Sequence, residues 1–302
     1  LHRLEGPRGV AEVVVQLAGF EIPAAAWEAS VLPARVRGYR REWLDQLTFS
    51  GEVTWGRLWG AGSGPIRKTP ICLLMRADLH EWASLAAQTA SREPSTPALE
   101  VHEALALRGA MFLQELGRAT KLLPVVVEDG LSELVALGRV TCDSFAGLRW
   151  LFAAPWRRRG REPAAGRWSL LPRESASAES GKSRRDPVEF VARKLLARTG
   201  VVFRKTLARE KQPLPWRDVA RALRTMEARG EVRGGRFVGG FDGEQYALPE
   251  AVTLLRSVRR RAGSADGETP VTVSAADPLN FRGILTPDER IAPTTRQQVR
   301  VA

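Results

Sequence analysis

A single spacing, used three times, limits what this chain can fold into: an apolar residue, another three positions later, a Gly four after that, a Val two further on, and an apolar residue five beyond. It reads Leu44, Leu47, Gly51, Val53, Leu58, then Leu131, Leu134, Gly138, Val140, Phe145, then Leu223, Met226, Gly230, Val232, Phe237. Apolar positions three apart share one face of a helix. A Gly just past the last of them supplies the left-handed stop that ends it, and the alternation that follows fits a strand. Helix, glycine stop and short hairpin form the second half of a winged helix. Three copies in tandem predict an α+β fold of tandem winged-helix domains, a scaffold that holds nucleic acid or a partner protein rather than one that transforms small molecules.

At 302 residues, 44% hydrophobic and 26% charged, the chain is globular in composition. At about 100–200 residues per domain it holds two or three domains. The 46 Lys and Arg outnumber 34 acids, for a net charge of +12 and a pI of about 10.8. Such a balance favours nucleic acid or another polyanion as partner, the alternative being a soluble protein of Arg-rich composition. Cys72 and Cys142 lie inside apolar, strand-like segments and fit a reduced compartment, with no ligand or nucleophile pattern around either. No apolar run is long enough to cross a bilayer and no signal peptide opens the chain, so the expected location is cytoplasmic, with no membrane partner. The start Leu1-His2-Arg3, without Met, and the strand-like end at 297–302 point to a piece of a longer protein.

Periodicity and breakers divide the chain into winged helices at 1–90, 98–155 and 186–262, with a mobile basic linker at 156–185 and a β module at 268–302. The linker holds Arg157, Arg158 and Arg159 and a Ser/Ala/Glu/Gly/Lys mixture that cannot bury a core, apart from a short strand at 166–171. In the last segment, strands are expected at 271–274, 283–285 and 297–301, forming part of a small barrel.

The third helix of a winged helix is the one that enters a groove of the duplex. In the third copy, Val219, Leu223 and Met226 cluster on one face, and Arg217, Arg221 and Arg224 fall on the opposite one. Trp216 begins that helix, and Arg233 and Arg236 follow in the wing. These six residues are the candidate nucleic-acid contacts, with a solvated basic face as the alternative. The matching helix of the middle copy carries Glu128, Asp129 and Glu133, which repel a phosphate backbone. The first copy is mixed, with Arg40 and Arg41 beside Glu42 and Asp45, and with Trp43, Trp55 and Trp59 placed either to stack on bases or to fill a core.

Catalytic and cofactor motifs are sparse. The glycines at 60–64 before Lys68 and Thr69 fail as a phosphate loop, because Arg67 stands where that motif needs Gly and Pro65 interrupts its amides. His2, His80 and His102 lack metal-ligand spacing. Asp277, before Pro278, is the one carboxylate in an unusual setting, either a turn residue or a lone catalytic acid.

Three stretches carry a resemblance: Gly200-Val201-Val202-Phe203-Arg204 with Leu207-Ala208-Arg209-Glu210, then residues 227–238, then 243–251. With 273–280 and Gly19-Phe20-Glu21, they make most of the chain similar to the C-terminal part of the Lhr, or large helicase-related, proteins of bacteria. The resemblance implies a superfamily 2 DNA helicase whose motor, with its ATP and magnesium, lies N-terminal to this region, so no cofactor is expected here. It also implies tandem winged helices with a β barrel, likeness to helix-winged DNA glycosylases, a homo-tetramer, a role in DNA repair and a place at the nucleoid. The Gln-x-Gln signature of those glycosylases has no match, since Gln297-Gln298 lacks the intervening residue. Three readings follow: a module that binds single-stranded or duplex DNA and oligomerises, a glycosylase that removes a base such as uracil with Asp277 activating water, or a structural tetramerisation block in which the basic helix meets Glu128 and Glu133 of a neighbour.

Overall fold

The computed structural model describes residues 4–62, 64–86, 92–154, 158, 162, 165–172, 186–262, 271–295 and 297–301. The chain divides into two units, 1–180 and 181–302.

The first repeat opens with β1 (Leu4–Glu5) and α1 (Gly6–Leu17). Pro7 suits the first turn of α1, and Val10, Val13, Val14 and Leu17 recur at helical spacing and are all buried. There follow β2 (Ile22–Pro23), a short α2 (Ala24–Ala26) running into a π turn at Trp27–Val31, β3 (Val36–Arg37), α3 (Arg41–Phe49), β4 (Val53–Gly56), β5 (Pro70–Met75) and α4 (Leu79–Ala86). Strand β5 lies between β2 and β4, antiparallel to both, with Ile71 opposite Ile22 and Cys72 opposite Gly56.

The second repeat contains α5 (Thr96–Arg108), β6 (Met111–Phe112), α6 (Leu113–Thr120), α7 (Pro124–Ala136), β7 (Val140–Cys142), α8 (Phe145–Phe152) and β8 (Arg167–Leu170), with β8 central between β6 and β7. The third, in the other unit, contains α9 (Pro187–Thr199), β9 (Val201–Phe203), a 3₁₀ stretch Arg204–Arg209, α10 (Trp216–Ala228), β10 (Arg233–Gly235), β11 (Gln245–Ala247) and α11 (Pro249–Ala262), with β11 central. The three repeats share an order of helix, strand, short helical stretch, helix, strand, strand, with β3 added in the first and α8 in the second, and in each the last strand lies in the middle of its sheet.

The repeated glycines do the work their spacing implies. Gly51, Gly138 and Gly230 have φ of 76°, 66° and 76°, a conformation that costs an L side chain. At the end of α7 the Gly138 N–H donates to Val135 O (3.0 Å) and Arg139 N–H to Leu134 O (2.9 Å). At the end of α10, Gly230 donates to Glu227 O (2.8 Å) and Glu231 to Met226 O (3.0 Å). These are the paired bonds of a Schellman stop. The apolar positions of all three copies are buried except Phe237, which is half-buried.

The last position of the pattern departs from expectation. Leu58 and Phe237 follow a strand into a loop, whereas Phe145 starts α8, capped by Ser144 Oγ accepting from the Ala146 N–H at 3.0 Å. The middle repeat therefore has a helix where a hairpin was expected, and its closing strand arrives only at 167–170. The 156–185 segment is consequently not one linker: β8 sits inside a sheet, and Leu171 N–H donates to Arg139 O at 2.8 Å. Arg157, Arg159 and residues 173–185 lie outside the described residues. In the last segment β12 (Val271–Ser274) and β13 (Gln298–Val301) pair antiparallel, while 283–285, expected as a strand, is a turn with Gly283 at φ 71°. Pro278, Pro287 and Pro293 remove ladder donors from this stretch, and no closed barrel forms among the described residues.

The first two repeats share a core. Trp55 is fully buried and meets Phe145 (6.2 Å) and Trp168 (6.0 Å) edge-on, and Thr141 Oγ1 donates to Trp55 O at 2.6 Å. Leu171 fills the space that Gly56 leaves, where a Cβ would stand 2.7 Å from its Cδ2. Replacing Trp55 by Ala opens this shared core, and urea unfolding followed by circular dichroism is expected to show a loss of about 3–5 kcal/mol.

Candidate nucleic-acid interface

Helix α10 is strongly two-sided. Val219, Ala220, Ala222, Leu223 and Met226 are buried, while the side chains of Arg217, Arg221 and Arg224 are 82%, 76% and 56% exposed. Trp216, at the first position, is half-buried. Arg217 and Arg221 flank Asp218 at 3.7 Å each. Arg224 makes a two-pronged contact with Glu244 on the wing, at 3.1 and 2.7 Å, which holds that carboxyl below the usual carboxylate range. Water screens an exposed pair of this kind, so a phosphate can displace the carboxylate at little cost. Arg229, by contrast, is committed to the scaffold: it pairs with both oxygens of Glu189 at 2.9 Å and so ties the end of α10 to α9.

The wing is residues 236–244 between β10 and β11, and one buried amide fixes it. Gln245 is 0% exposed, its Oε1 accepting from the Phe237 and Val238 N–H groups at 2.8 Å and its Nε2 donating to Val238 O at 2.9 Å and Phe241 O at 3.3 Å. Phe241 closes over Phe203 with ring centroids 5.2 Å apart. Arg233 and Arg236 are thereby exposed on a strand edge and loop that do not depend on a ligand for their shape. A Gln245→Leu change strands these backbone groups, and the expected outcome is a loss of about 1–3 kcal/mol with faster hydrogen exchange at the Phe237 and Val238 amides.

The corresponding helices of the other repeats are occupied or acidic. On α3, Asp45 Oδ1 accepts from the Ala146 N–H at 3.1 Å and Oδ2 pairs with Arg149, so this flank is covered by α8. Glu42, Gln46 and Phe49 are left exposed, together with Arg41 at the start of the helix. Trp55 and Trp59 are buried in the core, and Trp43 stacks edge-on with Tyr39 at 6.4 Å. On α7, Glu128 accepts from Trp150 Nε1 at 2.7 Å and pairs with Arg158, and Glu133 accepts from the Ser95 N–H at 2.8 Å. Both carboxylates are therefore engaged within their own repeat.

Asp277 is 1% exposed. Its Oδ1 accepts from the Leu279 N–H at 2.9 Å, the turn role available to Asp before Pro. Facing it is Arg209, which donates to Pro278 O at 3.2 Å and to Asn280 O and lies 5.8 Å from the Phe281 ring. Burial pushes Arg209 down to about 10, and the Asp277 charge opposes that fall. The carboxylate thus holds the turn and answers a half-buried cation, and it has almost no surface open to solvent. Arg209 was not legible in the sequence as its partner, because the two are far apart in the chain. Burial pushes the Cys142 thiol up to about 12, which keeps it protonated and inert at neutral pH. Among the described residues no group of three His, Cys, Asp or Glu could hold a metal, and no helix is long and apolar enough to cross a membrane.

Two family models match the chain, each described as a winged-helix domain of the large helicase-related protein, one over residues 1–76 and one over 181–267. A Lhr helicase/uracil glycosylase of Escherichia coli is 31% identical over 320 residues, covering 94% of this chain and 20% of that protein. A Lhr helicase/probable uracil glycosylase of Mycolicibacterium smegmatis is 31% identical over 313 residues, covering 92% and 20%. The chain spans about a fifth of the length of these relatives, 20% in each case.

Proposed function

Given that the chain belongs to the large helicase-related (Lhr) family, whose C-terminal winged-helix domains it carries, we propose that it is the nucleic-acid-binding module of a DNA helicase, with α10 and its wing as the DNA-contacting element. The ATP and magnesium of such a helicase are used by motor domains outside these residues. The observation that carries the reading is the stripe of Arg217, Arg221 and Arg224, exposed on a helix whose opposite face is wholly apolar. Neither α3 nor α7 offers an equivalent. In this arrangement α10 lies in a groove, its arginines meet phosphates, and Arg233 and Arg236 reach the adjacent backbone from the wing. Self-association, implied by the family, is part of the proposal and is read by sedimentation of the free chain.

Each arginine that meets a phosphate releases condensed counterions, so duplex affinity falls with salt at a slope of about −0.9 per contact. The triple variant R217A/R221A/R224A is expected to bind duplex DNA more weakly and to flatten the plot of log affinity against log salt by about 2–3. Affinity and slope equal to those of the parent chain would remove α10 from the interface.

A further inference from the structure

Unit 1–180 contains a cleft of about 630 Å³ that the α10 surface does not involve. It opens where the π turn Trp27–Val31, the start of α3, the 3₁₀ turn Ile66–Lys68 and the end of α8 come together, and Glu28, Arg41, Arg67, Arg149 and Phe152 line it. Its volume is that of a small-molecule site. A π turn at its wall is a feature that recurs at functional positions.

The polar groups in this cleft are pre-set. Glu28 has a side chain only 8% exposed, accepts from Tyr39 OH at 2.9 Å and lies 3.6 Å from Arg149 Nε. Arg149 is held on its other side by Asp45. Arg41 and Arg67 are exposed, and neither has an ion pair among the described residues. Arg67 lies 5.8 Å from the centre of the Phe152 ring, and its NH1 donates to Phe152 O at 3.5 Å, which places a cation and an aromatic wall side by side. Three guanidinium groups therefore line the cleft with a single carboxylate, Glu28, whose burial disfavours its charge, while Asp45 holds Arg149 from behind.

We propose that this cleft binds the phosphate ester of a nucleotide, with Arg41 and Arg67 as its principal ligands, Arg149 as a fixed third cation and Phe152 flanking the attached base. A planar fork of donors suits phosphate oxygens, and an arginine beside an aromatic ring suits an unstacked base. The nucleotide comes either from a single strand or from solution. Glu28 sets the charge of the site: burial raises its pKa above the ordinary carboxylate range, against the opposing pull of Arg149, the Tyr39 hydrogen bond and Arg41. The charged and titratable groups facing Glu28 are Tyr39, Arg41, Asp45 and Arg149, with Arg67 across the cleft. A bound anion favours protonated Glu28, so a phosphodiester, whose own charge is constant, binds more tightly as pH falls through the raised pKa and more weakly as it rises.

The probes are a short single-stranded oligothymidylate and thymidine monophosphate, titrated against the whole chain, R41A/R67A, E28Q, and R41A/R67A combined with R217A/R221A/R224A. Loss of two charge-assisted phosphate contacts lowers affinity about tenfold or more in R41A/R67A, both alone and in the α10 triple background. E28Q, which keeps the hydrogen-bonding shape and removes the charge, tightens oligothymidylate binding and flattens its pH dependence. Loss with both probes identifies a free nucleotide as sufficient, and loss with the oligonucleotide alone identifies a strand. Unchanged affinity for both probes in R41A/R67A, in either background, overturns the proposal whatever α10 does.

Discussion

The packing of Trp55 between Phe145 and Trp168 is the interaction on which the rest of unit 1–180 depends. It draws the first two repeats into one core, and in doing so it brings α8 against the flank of α3. Asp45, which on an isolated winged helix would face water, then caps the start of α8 through the Ala146 N–H and pairs with Arg149. A buried aromatic contact thus decides the fate of the helix that a winged helix ordinarily offers to DNA. The third repeat has the same topology, but the basic side of its helix stays exposed.

Two different uses of arginine result. Arg149 and Arg198 are enclosed, the latter with Glu210 at side-chain exposures of 3% and 6%, and such pairs fix geometry more than they add stability. Arg217, Arg221 and Arg224 keep long, exposed stems, and their carboxylate neighbours hold them only weakly, which suits a surface that must exchange one anion for another. Gln245 complements them, since a wing held by four side-chain hydrogen bonds presents Arg233 and Arg236 without ordering a loop on binding.

Much of this was legible in the sequence. The glycine at each helix end announced a left-handed stop, and all three adopt it; the stripe of arginines followed from helical geometry alone, and it is exposed. The helix α8 was not legible, because Phe145 is an acceptable apolar residue either for a wing strand or for a first helical turn, and the difference lies in the Ser144 cap and in the neighbouring repeat. The pairing of Asp45 with Arg149, and of Arg209 with the turn at Asp277, joins residues too far apart for any local pattern to record. The cleft around Glu28 was missed for the same reason: its arginines come from separate elements, and none stands in a motif. The one short strand expected at 283–285 did not form, because proline and glycine punctuation outweighs a brief apolar run, whereas those at either end of the segment did.

The most direct test of the account is hydrogen exchange of the whole chain, measured by mass spectrometry with and without duplex DNA. Binding through the third repeat predicts slowed exchange in peptides spanning α10 and the 233–247 wing, with α3 and α7 unchanged. Protection centred on α3 or α7, with α10 exchanging as in the free chain, would contradict it.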